Sequence, residues 1–147
     1  MKKCFFILFF WNLFLCSVEK YFKGDPFVYL KSQIPVLKSK TELDAALANS
    51  SVIVAIISYN NSFYGNDTDI FTKAARMYHE IYNLFINHKK IKFYRVNMLK
   101  GISGLLLSSN HSGVALFHEK KLIKNIGENA GKEKIIVEIL DAIKGIS

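Results

Sequence analysis

The run Val52-Ile53-Val54-Ala55-Ile56-Ile57, followed by a polar loop and a long helical pattern from Asp67 to Asn87, restricts the fold more than any other feature of the chain. A continuous, mostly β-branched apolar run suits a strand buried on both faces of a sheet. In the helical stretch, Ile70, Phe71, Ala74, Met77, Tyr78, Ile81, Leu84 and Phe85 recur at spacings of three and four, which predicts one apolar stripe facing a core. Asp67 or Asp69 can cap its start, and His88-Lys89-Lys90 suits its negative end. Strand, short loop and long helix make the first half of a parallel βαβ unit. The loop, Tyr59-Asn60-Asn61-Ser62-Phe63-Tyr64-Gly65-Asn66, is the kind of connection that carries chemistry in many folds.

The rest of the chain can be placed around this unit. Ile34-Pro35-Val36-Leu37-Lys38 reads as a short strand, and Pro35 confines it to a strand start or a sheet edge. Thr41-Glu42-Leu43-Asp44 resembles a capping box, and Leu43, Ala46 and Leu47 then give one face of a short helix. Ile91 to Asn97 alternates as a strand. A short helix is expected over 101–109. Val114-Ala115-Leu116-Phe117 and Leu122 to Ile126 pair as a hairpin across His118-Glu119-Lys120-Lys121. Lys132 to Lys144 reads as a terminal helix with Ile136, Ile139, Leu140 and Ile143 inward. The order is βαβαβαββα, an α/β domain with a central mixed sheet flanked by helices.

Residues 1–17 read as a secretory signal: Lys2 and Lys3, then an apolar stretch from Cys4 to Cys16, short of the roughly 20 apolar residues that span a bilayer. Cleavage is expected near Cys16 or Ser17, with retention as a signal anchor the alternative. Residues 18–33 form an extension rich in aromatics, Tyr21, Phe22, Phe27 and Tyr29. These rings either cover an edge of the domain or bind a ligand, and packing is the preferred reading. Residues 34–147 form the domain. The only cysteines are Cys4 and Cys16, so the domain has no disulfide, no zinc cysteine site and no thiol nucleophile. The chain carries 20 basic and 12 acidic residues, and without Lys2 and Lys3 a net charge of +6 remains. That favours acidic partners or anionic membrane surfaces but is too diffuse for nucleic acid.

The element order and several strings together resemble the thioredoxin and protein disulfide isomerase family over roughly residues 34–146. Ser51 to Tyr59 looks like the family's central strand. Phe71-Thr72-Lys73-Ala74-Ala75 is similar to the aromatic-x-Lys-Ala-Ala of disulfide isomerase catalytic domains, and Val114 to Gly127 looks like the terminal hairpin. The resemblance implies a thioredoxin-like fold and also exposes four departures. The two cysteines of the family's Cys-x-x-Cys motif fall on Asn61 and Tyr64. The family's buried acid falls on Ala55. Its cis-proline falls on Ser112, or on Gly113 if the register slips by one. Disulfide exchange needs an attacking thiolate and a resolving sulfur, which an amide and a phenol cannot supply. A non-proline cis bond costs about 2.5–4 kcal/mol, so a trans bond is expected at 111–112.

Other features carry weaker chemistry. Asn49, Asn60, Asn66 and Asn110 begin N-glycosylation tripeptides, and a glycan at Asn60 or Asn66 would block the loop surface. His79, His88, His111 and His118 lack partners at metal-ligand spacing, so no metal is expected. A hydrolase built from Ser62 or Ser112 with His111 lacks an acid partner. Lys89, Lys90, Lys92 and Arg95, interleaved with Phe93 and Tyr94, read as a helix end feeding a strand with one solvated face. Tyr59, Phe63 and Tyr64 either form an exposed apolar patch or pack in the core.

The expectation is a non-catalytic thioredoxin-like module of the secretory pathway, in the endoplasmic reticulum lumen or secreted. It would bind a protein or an extended peptide as a chaperone, adaptor or complex subunit. Tyr59, Asn61, Phe63, Tyr64, His111 and Ser112 are the contacts at the former active-site face, with peptide lying along residues 111–114, where backbone groups would be free to pair. No cofactor, nucleic acid or stable membrane span belongs to this reading unless the signal stays as an anchor. The alternatives are a secretory thiol-disulfide oxidoreductase, disfavoured by the missing thiols, and a structural subunit packing its basic face onto a larger secreted assembly.

Overall fold

The computed structural model describes residues 27, 30–48, 51–59, 68–97 and 112–146, without the side chains of 68–71 and 97. The segment read as a signal, most of the 18–33 extension, the loop expected at 60–67 and the helix expected at 101–109 lie outside these residues.

The βαβ unit forms as the apolar run demands. Strand β1 (Ile53–Tyr59) is buried at every position. Helix α2 (Thr68–Phe85) leads from it to β2 (Ile91–Asn97), which pairs parallel to β1. Strand β3 (Gly113–His118) lies antiparallel on the other side of β1, and β4 (Lys121–Gly127) is antiparallel to β3. The order across the four-stranded sheet is β2-β1-β3-β4. A short 3-10 turn at Glu128–Ala130 leads into helix α3 (Lys132–Gly145).

Two cores explain why β1 is apolar without alternation. Ile53, Ala55, Ile57 and Tyr59 pack with Ala74, Tyr78, Ile81 and Phe85 of α2 and with Ile135, Ile139 and Ile143 of α3. Val54 and Ile56 point the other way, onto Leu43 and Ala46 of helix α1 (Lys40–Leu47). Each fully buried Ile or Val contributes about 1.5–3 kcal/mol relative to exposure. A polar residue at Ile53 or Ile57 would therefore break the layer that joins sheet to helices.

Several local expectations are corrected. The helix cap is Ser39, whose hydroxyl accepts from the Glu42 N–H, while the Glu42 carboxylate accepts from the Lys38 N–H. The box thus runs Ser39 to Glu42, two residues before the one read at Thr41 to Asp44. The strand expected at 34–38 is a single bridge, Val36 to Arg95. Leu84 is 65% exposed, because the covered stripe of α2 is centred on Tyr78, Ile81 and Phe85 and Leu84 falls to one side. In α3 the core-facing set is Ile135, Ile139 and Ile143, one residue every four, and Leu140 lies on the exposed flank. Arg95, placed by sequence on a solvated face, is only 5% exposed.

Candidate functional site at one end of the sheet

Parallel strands β1 and β2 finish together, with Tyr59 opposite Asn97. Antiparallel β3 starts at the same end, with Gly113 opposite Ser58. The chain segments at 60–67 and 98–111 therefore leave and re-enter the described structure at one end of the sheet. In open α/β sheets, ligands bind in the crevice outside the carboxyl ends of the strands. Topology alone brings the ends of three strands to this place.

The described residues at this end divide into core and rim. Tyr59, expected as a contact residue with core packing the equal alternative, belongs to the core. It is 2% exposed, its ring lies 5.1 Å from that of Phe27, and its hydroxyl accepts from Arg95 Nη1 at 2.9 Å. A surface role for Tyr59 is thereby corrected: the Arg95 cation and the Phe27 ring need its phenol inside. Ser112 sits at the mouth of β3 and is also buried, with no hydrogen-bond partner for its hydroxyl among the described residues. Ser58, which sequence reasoning passed over, has the same property one strand away. Its signal was available: a serine ending a run of Val, Ile and Ala. An unsatisfied buried hydroxyl costs free energy, so two of them at one end of the sheet make it the polar weak point of the core.

The free backbone expected along 111–114 is narrower than the sequence implied. The Ser112 carbonyl accepts from the Glu128 N–H at 2.9 Å. Gly113 and Val114 are paired on both sides, with β1 and with β4. Of the described residues 112–114, only Ser112 lies outside the ladder. Gly113 is also closed in from above: a Cβ there would meet the Ile126 carbonyl oxygen at 2.3 Å. Asn61, Phe63, Tyr64 and His111, and the sequons at Asn49, Asn60, Asn66 and Asn110, lie outside the described residues.

The shifted titrations of the described residues belong to surface ion pairs. Lys132 holds the Glu80 carboxyl below its usual range, and Lys134 with Lys124 does the same for Glu138. Among the described residues no cluster of His, Cys, Asp and Glu could hold a metal, and no helix is long and apolar enough to cross a membrane.

No family model and no curated protein matches the chain. Solved structures do match it. Thioredoxin f2 of Chlamydomonas reinhardtii is 18% identical with a TM-score of 0.57, over 74% of this chain and 97% of that one. Mitochondrial thioredoxin 3 of Saccharomyces cerevisiae is 13% identical with a TM-score of 0.56, over 74% and 94%. The fold is thioredoxin-like. The J-Trx1 fragment of ERdj5 agrees, at 17% identity and a TM-score of 0.55, over 76% of this chain and 52% of that fragment. A thioredoxin-like fold accounts for the mixed sheet, for the helices on its two faces and for the gathering of strand ends around Ser58, Ser112 and Gly113.

Proposed function

We propose that this chain is a non-catalytic, thioredoxin-like binding module of the secretory pathway. It holds a protein or an extended peptide at the end of the sheet where β1 and β2 finish. The observation that carries this reading is the absence of any cysteine after Cys16. Thiol-disulfide exchange needs two cysteine sulfurs, and the domain has none. Ala55, which falls where the resemblance expects a buried acid, puts a methyl group in the middle of the core facing α2. A proline could not replace Gly113, because its Cβ would strike the Ile126 carbonyl. That favours Ser112 over Gly113 as the position where the resemblance puts the proline. No residue at these positions can form or resolve a mixed disulfide. The basic N-terminus followed by an apolar stretch supports the secretory assignment.

Two measurements test it. Alkylation and mass analysis of the processed chain should count no thiol, and insulin reduction should proceed at the uncatalysed rate. Catalytic turnover would overturn the proposal. The processed chain should also capture a reduced and alkylated unfolded protein, used as an extended-chain probe. Phe63→Ser combined with Tyr64→Ser should weaken that capture at unchanged thermal stability, and equal capture by the variant counts against this face.

A further inference from the structure

Strand β2 is the outer strand of the sheet on the side away from β4, and its outer edge is only partly covered. The Ile53 N–H donates to the Lys90 carbonyl, which sets the parallel ladder. In that ladder Lys92, Tyr94 and Val96 turn their backbone groups toward β1, and Ile91, Phe93 and Arg95 turn theirs outward. The segment around Val36 satisfies Arg95: the Arg95 N–H donates to the Pro35 carbonyl and the Leu37 N–H donates to the Arg95 carbonyl, both at 2.9 Å. The next rung would need an N–H at position 35 to reach the Phe93 carbonyl. Proline has none, and the pairing stops. The N–H and carbonyl of Phe93 are left at the edge without a backbone partner among the described residues.

An open groove of about 300 Å³ runs beside those groups. One wall is apolar, made by Tyr82, Phe85 and Ile86 at the end of α2, and Ile86 is 45% exposed. The other wall is Lys92 and Tyr94. A strand laid along the edge would alternate its side chains between the two walls. Charge selects what that strand can be. The sequence has no Asp or Glu between Glu80 and Glu119, while Lys89, Lys90 and Lys92 cluster at the start of β2.

We propose that the exposed edge of β2 takes an extended acidic segment of a partner protein as an added strand, with apolar side chains against Tyr82, Phe85 and Ile86 and carboxylates toward Lys92. Main-chain bonds to Phe93 hold the segment, and the alternation of the walls specifies it. A second copy of the chain is a poor occupant, because pairing β2 with β2 brings these lysines against one another. Neither the missing thiols nor the opposite end of the sheet enters the argument, so this edge stands or falls separately from the function proposed above.

The test uses the full chain and a fluorescent peptide of alternating Ile and Glu, followed by anisotropy. Binding should weaken about tenfold with Lys92→Glu, an exposed position, as one attraction becomes a repulsion. The same peptide N-methylated at every second residue should not bind, a control that requires no protein variant. Hydrogen exchange at the Phe93 amide should slow when the unmodified peptide is added. Equal binding of the N-methylated peptide, or of a peptide with Lys in place of Glu, overturns the proposal. So does a Phe93 amide already protected in a dimer of the chain without peptide.

Discussion

Arg95 Nη1 donates to the Tyr59 hydroxyl at 2.9 Å, joining the ends of β2 and β1 inside the core. The same guanidinium lies 4.7 Å from the centre of the Phe27 ring, and its Nε donates to the Ile34 carbonyl at 3.4 Å. A cation that would be costly in an apolar layer is thereby hydrogen-bonded and stacked. It also ties the segment before α1 to the sheet. Tyr59→Phe removes the acceptor and should lower unfolding stability by about 1–2 kcal/mol. Arg95→Ala removes the stack and the packing of the stem as well, and should cost about 3 kcal/mol. Urea midpoints with unchanged slopes measure both, and an Arg95→Ala variant as stable as the parent would show that this cation holds nothing.

The β3–β4 hairpin turns through Glu119 and Lys120, with φ of 49° and 66°. His118 pairs with Lys121, so these are the two loop residues, both in the left-handed region. That backbone matches the twist of a hairpin but favours Asn and Gly over long side chains. Replacing Glu119→Asn and Lys120→Gly together should stabilise the domain by about 0.5–1 kcal/mol. A higher melting temperature with an unchanged sheet signal checks it; a lower one would mean that the two side chains hold the turn in some other way.

Gly113 tests the close approach of β3 to β4. An added Cβ would meet the Ile126 oxygen at 2.3 Å and the Gly127 Cα at 3.2 Å. Both contacts are backbone, so nothing flexible can give way. Gly113→Ala should cost about 1–3 kcal/mol, the range for overpacking a tight core. The loss should fall on the hairpin, read as faster amide exchange in β4 than in β2. Uniform exchange or an unchanged midpoint would show that the strands part freely there.

The sheet was legible because its signals are local and repeated: the β1 run, the α2 stripe and the hairpin with its charged turn all come from period and composition. Where the core buried a charge, reading residue type misled. Arg95 stands two positions after Phe93 and four after Ile91, so the period of two already placed it on the inward face. Its charge argued the other way, and only Tyr59, Phe27 and the Ile34 carbonyl, which are distant in sequence, could reverse that. Leu84 and Leu140 show the converse, apolar residues at helix-flank positions that the sheet does not reach. Pro35 limits its segment to a strand start or a sheet edge, and the segment makes one bridge at the edge of β2; the further effect, leaving Phe93 without the next rung, needs the register of β2 to be seen. Ser58 and Ser112 were illegible as a pair, since the antiparallel contact of β1 with β3 brings them to one end across nearly half the domain.

Glu138 on α3 stands between Lys124 of β4 and Lys134 of its own helix, 3.0 Å from each, with its side chain 14% exposed. Hydrogen bonds from Lys134 and then Lys124 hold its carboxyl below the ordinary 4.5. A carboxyl with a depressed folded pKa adds stability above its unfolded value and loses it as pH falls through the folded one. Glu138→Gln should therefore melt slightly below the parent at neutral pH. The gap should close as pH drops below 4.5, where the parent's own carboxyl takes up its proton. Added salt should narrow the neutral gap as well, because both lysines are about half exposed or more. Thermal melts of the two proteins across pH decide it: a gap as large in acid as at neutrality would mean that Glu138 acts through packing and that its charge does not bind β4 to α3.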